Sequence, residues 1–214
     1  MSTPASPSSQ ATLASIPPPN YSVSDAVLYI EKVIRIDAPI QDVWDVLIDT
    51  STWPSWNKFI PRVTIRQQPE SDVPTASETS PILEPGTRMT FHVNMNATTP
   101  QSQPSTDALL TVAERDPPNS NKKLGRVVWV NDAPAQGRVM SWLLTAERVH
   151  ELSEVEVHDE EGQVKLMTEV RTWEAQVGVL AYVVRWMLGA RLAEFFDLWL
   201  RGLKEYVEKN RARE

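Results

Sequence analysis

The feature that most restricts how this chain can fold is its end. From Gly178 to about Lys209 the sequence reads as one helix, with Val179, Val183, Trp186, Ala190, Phe196, Trp199, Leu203 and Val207 on or beside one apolar stripe. At ~1.5 Å per residue such a helix spans roughly 45 Å and needs an apolar surface to lie on. The preceding residues supply one. Leu28 to Ile36 alternates, with Leu28, Ile30, Ile34 and Ile36 on one face, and Phe59 to Arg66 reads as a second strand. Five more alternating segments follow, at 86–95, 108–115, 124–130, 139–152 and 163–175, separated by turn-rich pieces. Between the first two strands, Pro39 opens a helix from Ile40 to Asp49, and a shorter helical turn carries Trp53, Pro54 and Trp56. This order predicts an α+β fold in which a strongly curved antiparallel sheet of about seven strands wraps around the terminal helix. A curved sheet cannot meet a straight helix along its whole length, so an apolar cavity is expected between them.

Several local motifs carry a resemblance. Ile36-Asp37-Ala38-Pro39, Val43-Trp44-Asp45-Val46-Leu47, Trp53-Pro54-Ser55-Trp56-Asn57 and the closing Trp199-Leu200-Arg201-Gly202-Leu203-Lys204 resemble the SRPBCC superfamily over roughly Tyr29 to Glu208. This helix-grip group contains START lipid-transfer domains, birch-pollen-type allergens, polyketide cyclase/dehydrases and coenzyme-Q-carrier-like proteins. The resemblance implies that the Ala-Pro turn launches the first helix and that the Trp-Pro-x-Trp segment packs against the end of the sheet. It transfers no universal catalytic motif and fixes no substrate.

Composition removes whole classes of function. With 28 acidic and 21 basic residues the formal charge is -7, which argues against a nucleic-acid surface. The absence of cysteine excludes disulfides, thiolate metal sites and thiol nucleophiles. No nucleotide fingerprint is present, so no cofactor is expected. Residues 1–24 hold no charge and are rich in Ser, Pro and Ala, and read as a disordered leader to a single domain over 25–210, with a mobile loop at 67–85. The leader lacks the basic start and apolar run of a secretory signal and the arginines of a mitochondrial presequence, so a cytoplasmic location is expected. Residues 177–190 are apolar but too short to span a bilayer, so no stable membrane insertion is expected.

The strand faces nominate the site. Met89, Phe91 and Val93 share a face assigned to the cavity, which turns Arg88, His92 and Asn94 outward. In 139–152, Met140, Trp142, Leu144, Ala146, Arg148 and His150 form the set assigned inward. The last strand reads two ways. If Met167, Glu169, Arg171 and Trp173 face in, Glu169 and Arg171 join Arg148 and His150 in a cluster that can polarise a carbonyl through Arg148 and take a proton on His150 or Glu169. If Leu166, Thr168, Val170 and Thr172 face in, those charges are solvated and no desolvation cost of several kcal/mol per ion arises. Trp129 and Trp173 divide between ligand contact and packing. With Trp142 and Trp186 they complete the candidate ligand-binding set. His150 and His158 flank an acidic turn that reads as solvated rather than metal-binding. The expected function is binding of a hydrophobic small molecule, such as a polyketide or lipid, with cofactor-free cyclisation or dehydration as the chemistry the cavity can host. The alternative is a non-catalytic lipid or quinone carrier, and a third reading is a scaffold using the Pro-rich segments.

Overall fold

In the computed structural model, residues 21–69, 80–99, 103–119, 121–158 and 162–213 are described. The strands are β1 (Leu28–Ile36), β2 (Arg62–Gln67), β3 (Arg88–Val93), β4 (Thr106–Asp116), β5 (Leu124–Asn131), β6 (Thr145–His158) and β7 (Val164–Val177). They form one seven-stranded sheet in the order β1-β7-β6-β5-β4-β3-β2, with every pairing antiparallel. The first two strands therefore sit at opposite edges. The chain crosses between them through α1 (Ile40–Ile48) and a 3-10 turn at Trp53–Ser55. Helix α1 buries Val43, Trp44, Leu47 and Ile48, the stripe that its 3.6-residue period puts on one side.

Period-two alternation gives the sheet a face for the terminal helix α4 (Val179–Arg211). Leu28, Ile30 and Ile36 of β1, Met89, Phe91 and Val93 of β3, and Trp129 of β5 join one core with Phe195, Phe196, Trp199 and Leu203 of α4. Val128, Val149 and Trp173 form a smaller cluster that alternates onto the opposite face. At one edge, Asp132 accepts hydrogen bonds from Arg66 Nη2 at 2.6 Å and from Arg88 Nε and Nη2 at 2.8 and 2.9 Å, tying β2 and β3 to the end of β5.

Helix α4 runs alongside β1 in the same direction. Leu28 lies 3.9 Å from the position a Cβ would take on Gly189, Lys32 pairs with Asp197 at 2.9 Å, and Lys204 donates to the Arg35 carbonyl at 2.9 Å. A nine-residue strand covers about 30 Å, whereas the 33 residues of α4 cover about 50 Å. The helix thus outruns the edge strand, and residues 179–188 lie beyond the start of β1.

Two expectations are corrected here. Residues 139–143 are not strand but the end of a short helix, α3 (Arg138–Leu143), which follows α2 (Ala133–Gln136) across Gly137 at φ 83°. The ladder explains this: β5 ends at Asn131, β7 ends at Val177, and the first residue of β6 with a partner is Thr145. Trp142 is accordingly exposed rather than turned inward. The stripe assigned to the start of the terminal helix is also on the wrong side, since Val179, Val183 and Trp186 are exposed and Ala181, Leu192 and Phe195 are buried. The leader through residue 20 and residues 70–79 of the 67–85 loop lie outside the described residues, while Val23–Asp25 forms a 3-10 turn.

Two helical glycines predict opposite responses to the same substitution. A Cβ at Gly202 would collide with the Trp56 carbonyl oxygen, a backbone atom, whereas at Gly189 it meets only Leu28 Cδ1 at 3.9 Å. Gly189→Ala is expected to raise stability by about 0.5–1 kcal/mol and Gly202→Ala to lower it by about 1–3 kcal/mol, read from urea unfolding midpoints.

Candidate functional site

The register of β6 against β7 sets the site. His150 pairs directly with Thr172 and Arg148 with Glu174, so all four turn toward α4 on one face. His150 is buried between two indoles, with ring centroids 4.3 Å from Trp129 and 4.6 Å from Trp199. Arg148 donates from Nε to Glu174 Oε2 at 2.9 Å, with Nη2 at 2.8 Å from the same oxygen, and its guanidinium lies 4.1 Å from the centroid of Phe196. Glu174 Oε1 accepts from Gln176 Nε2 at 2.5 Å, extending the pair into a three-residue polar chain.

Around His150 the polar atoms are unpaired. Among the described residues, His150 Nδ1 and Nε2, Trp129 Nε1, Trp199 Nε1 and Thr172 Oγ1 are buried without a hydrogen-bond partner. Neighbouring indoles differ: Trp53 Nε1 donates to the Leu47 carbonyl at 3.3 Å and Trp56 Nε1 to Thr52 Oγ1 at 3.1 Å. A buried unpaired polar group costs about 1–3 kcal/mol, so five such atoms on the His150 ring, its two neighbouring indoles and its register partner Thr172 are expensive unless something binds them. Burial first, and then the positive charge of Arg148, hold the His150 imidazole well below its usual range. It is neutral at neutral pH, able to donate at one nitrogen and accept at the other.

The interior at this point is filled with rings rather than open. Trp53, Phe91 and Trp129 meet at centroid distances of 5.2 to 5.5 Å, which places Met89, Phe91 and Val93 in packed core rather than at a cavity wall, while Trp129, in the same core, keeps its buried Nε1 without a partner beside the His150 ring. A cavity of about 540 Å³ opens instead at the end of the sheet, lined by Pro54, Trp56, Asn57, Asn94, Ala97 and Pro104 among others. Its wall leads inward: Trp56 stands edge-on to Trp199 at 5.5 Å, and Trp199 meets His150. Asn57 Nδ2, in the same wall, is buried without a partner.

The remaining candidates are dispersed. In β7 the even set faces α4, so Glu169 and Arg171 point away from His150. Glu169 accepts from Arg35 Nε at 2.9 Å, and Arg171 donates to Glu31 at 2.8 Å while lying over Trp173. This corrects the placement of Glu169, Arg171 and Trp173 at the cavity: opposite charges on β1 meet them on the outer face, where no desolvation of a four-ion cluster is required. Trp142 and Trp186 stand at the surface, 75% and 86% exposed. His150 and His158 lie eight residues apart on one strand, about 26 Å, and among the described residues no group of three or more His, Asp or Glu is placed to hold a metal. Sequence reasoning missed Glu174 and Gln176, and named Thr172 only as a member of the even set without a role. Their signal was the even register of the last strand carried two residues further, to where Glu174 faces Arg148.

The sequence family described as polyketide cyclase / dehydrase and lipid transport matches residues 36–116. A curated protein of Penicillium oxalicum, "Oxopyrrolidines biosynthesis cluster protein O", is 45% identical over 176 residues, covering 81% of this chain and 83% of its own. A hypothetical protein of Helicobacter pylori superposes with a TM-score of 0.58 at 18% identity, covering 84% of this chain and 87% of that one, which supports the fold. A START superfamily protein of Mycobacterium smegmatis aligns at a TM-score of 0.49 and 12% identity over 85% of this chain and 97% of its own.

The depressed His150 pKa has a definite sign. The unfolded chain takes up a proton near the ordinary histidine value of about 6.5, and the folded chain does not, so stability falls as pH drops below that value, by up to about 1.4 kcal/mol per pH unit. Replacing the imidazole by phenyl in His150→Phe is expected to remove this slope and to leave stability at neutral pH equal or higher, measured by urea unfolding across pH 5 to 8.

Proposed function

The chain belongs to the polyketide cyclase/dehydrase and lipid-transport family of the SRPBCC superfamily, and on that premise we propose that it binds a hydrophobic, carbonyl-bearing small molecule and catalyses its cyclisation or dehydration without a cofactor. The observation that carries this reading is the buried unpaired set around His150. An indole N–H can only donate, so Trp129 and Trp199 ask for acceptor atoms, and carbonyl oxygens on an apolar chain meet that demand without bringing charge inside. Thr172 adds a hydroxyl on the same face. The relative from Penicillium, named for a biosynthesis cluster, supports a biosynthetic setting.

The chemistry uses groups already present. Neutral His150 accepts a proton from a carbon flanked by two carbonyls. The enolate carbon then bonds to a second carbonyl carbon of the same chain, and the new alkoxide takes the proton back from the imidazolium. Loss of a neighbouring hydrogen with that hydroxyl releases water, and no oxidant or reductant is consumed. Donors at Trp129 and Trp199 would stabilise the developing enolate and alkoxide, the term that usually contributes most in such sites. Arg148 is occupied by Glu174 and acts at a distance, its charge helping to keep His150 unprotonated. The ligand enters from the cavity beside Trp56 and Asn57, and reaching His150 requires the Trp56 and Trp199 rings to turn aside.

Native mass spectrometry of the freshly purified chain, followed by extraction of the bound molecule and assay of the wild type with a poly-β-ketone thioester, tests the reading. Turnover is expected to fall by about 10²–10⁴-fold in His150→Phe with binding retained. Trp199→Phe is expected to weaken binding by roughly threefold to tenfold, the value of one lost hydrogen bond. A bound lipid without turnover, unaffected by either substitution, would make the protein a carrier.

A further inference from the structure

The surface formed by α3 and the start of α4 is unlike the rest of the molecule. On α4, Val179, Tyr182, Val183, Trp186 and Met187 are all exposed and recur at the spacing of one helical face. The opposite face of the same turns, with Ala181, Val184 and Leu188, packs into the core. On α3, Val139 and Trp142 are 71% and 75% exposed. The two helices adjoin where Gly178 abuts the Leu143 carbonyl, a contact that leaves no room for a side chain. Trp142 and Trp186 alone leave roughly 300 Å² of indole in water, within reach of the largest apolar patch a soluble monomer normally carries.

The charge pattern of this surface identifies its occupant. In residues 133–144 and 179–193 there are three charged side chains, Arg138, Arg185 and Arg191, and no Asp or Glu, although the whole chain carries -7. All three arginines are exposed. Aromatic and aliphatic side chains flanked by three arginines, with Glu194 just beyond their end as the first carboxylate on α4, match the boundary of an anionic bilayer, where Trp and Tyr settle at the headgroup level and guanidinium groups meet phosphate. A second copy of the chain fits less well. A two-fold contact through this face would add three arginines from each copy, with Glu194 the first carboxylate along α4 to answer them. No helix among the described residues is long and apolar enough to cross a membrane, so the helix would lie in the surface.

We propose that α3 and the first three turns of α4 form a docking surface for an anionic membrane, on which the protein rests with residues 179–187 along the bilayer plane. The patch is separate from the interior set around His150, and its occupant does not depend on what that set binds.

The test is co-sedimentation of the full chain with vesicles of phosphatidylcholine alone and of phosphatidylcholine doped with phosphatidylserine, with sedimentation equilibrium of the free protein alongside. Binding is expected for the anionic vesicles and is expected to fade at high salt. Each arginine near such a surface contributes roughly a fivefold gain in partitioning, so Arg185→Gln with Arg191→Gln should weaken binding on the order of twentyfold. Trp142→Ser with Trp186→Ser should abolish it without moving the urea midpoint, because both side chains are already in water. Absence of binding to anionic vesicles would overturn the proposal, as would binding that ignores both salt and the arginine changes. Concentration-dependent dimers in the free protein, dissolved by the two tryptophan substitutions, would assign the surface to a second copy instead.

Discussion

The fold depends on how closely one backbone can approach another at Gly202. There the carbonyl of Trp56 lies against α4 at a point where any Cβ would collide with it. That contact holds the C-terminal half of α4 down on the turn between α1 and β2, and the helix continues unbroken over 33 residues. Trp199 follows from it. Lying one turn before Gly202, it is brought edge-on to Trp56 on one side and onto the His150 ring on the other. The exposed stripe follows too, because a helix of 33 residues lying beside a strand of nine must project past it. Close contact at one end and excess length at the other are two results of one constraint.

Charge is distributed by face. On the outer side of β1 and β7, Arg35 meets its register partner Glu169 and Arg171 reaches Glu31 diagonally, each pair partly in water and each contributing little to stability. On the inner side, among the described residues, Lys32 pairs with Asp197 at the β1 edge and Arg148 pairs with Glu174 deeper in, and beside the second pair an imidazole is kept neutral. A second carboxylate inside would have favoured the imidazolium, and the register that sends Glu169 outward prevents this. The unpaired atoms of His150, Trp129, Trp199 and Thr172 therefore sit in a region that is apolar except for one compensated pair. Unpaired buried groups of this kind cost stability, and on the proposed function a ligand with acceptors in the right places would return it.

Much of this was legible in the sequence. The α+β order, the seven strands and the terminal helix follow from period-two and period-3.6 apolar patterns, and the facing of Met89, Phe91 and Val93 follows from the same count. Arg148 and His150 could be paired because they are two residues apart on one strand. What escaped is what depends on neighbours. The facing of Glu169 was undecidable from β7 alone, since both of its faces carry apolar residues, and the opposing charges that settle it lie on β1. Trp142 and Trp186 look like core residues by hydrophobicity, and only the end of the β6–β7 ladder and the length of α4 past β1 put them outside. The open cavity was misplaced because ring packing is a property of side chains meeting across elements, which periodicity does not report.

The last turn of the sheet joins the two unusual regions. β7 carries Glu174 and Gln176, the outer members of the inner polar chain, then Val177, whose partner Thr145 follows α3, then Gly178 at φ 100°, and α4 begins. Four residues thus separate the carboxylate that neutralises Arg148 from Val179, the first exposed residue of the apolar stripe. The positive φ at Gly178 and its contact with the Leu143 carbonyl fix the direction in which the stripe leaves the sheet. The start of α4 is therefore tied to Gln176 and Glu174 through Val177 and Gly178, and to the core through Ala181, Val184 and Leu188. The inner electrostatics and the outer apolar surface are mechanically adjacent although they face different surroundings.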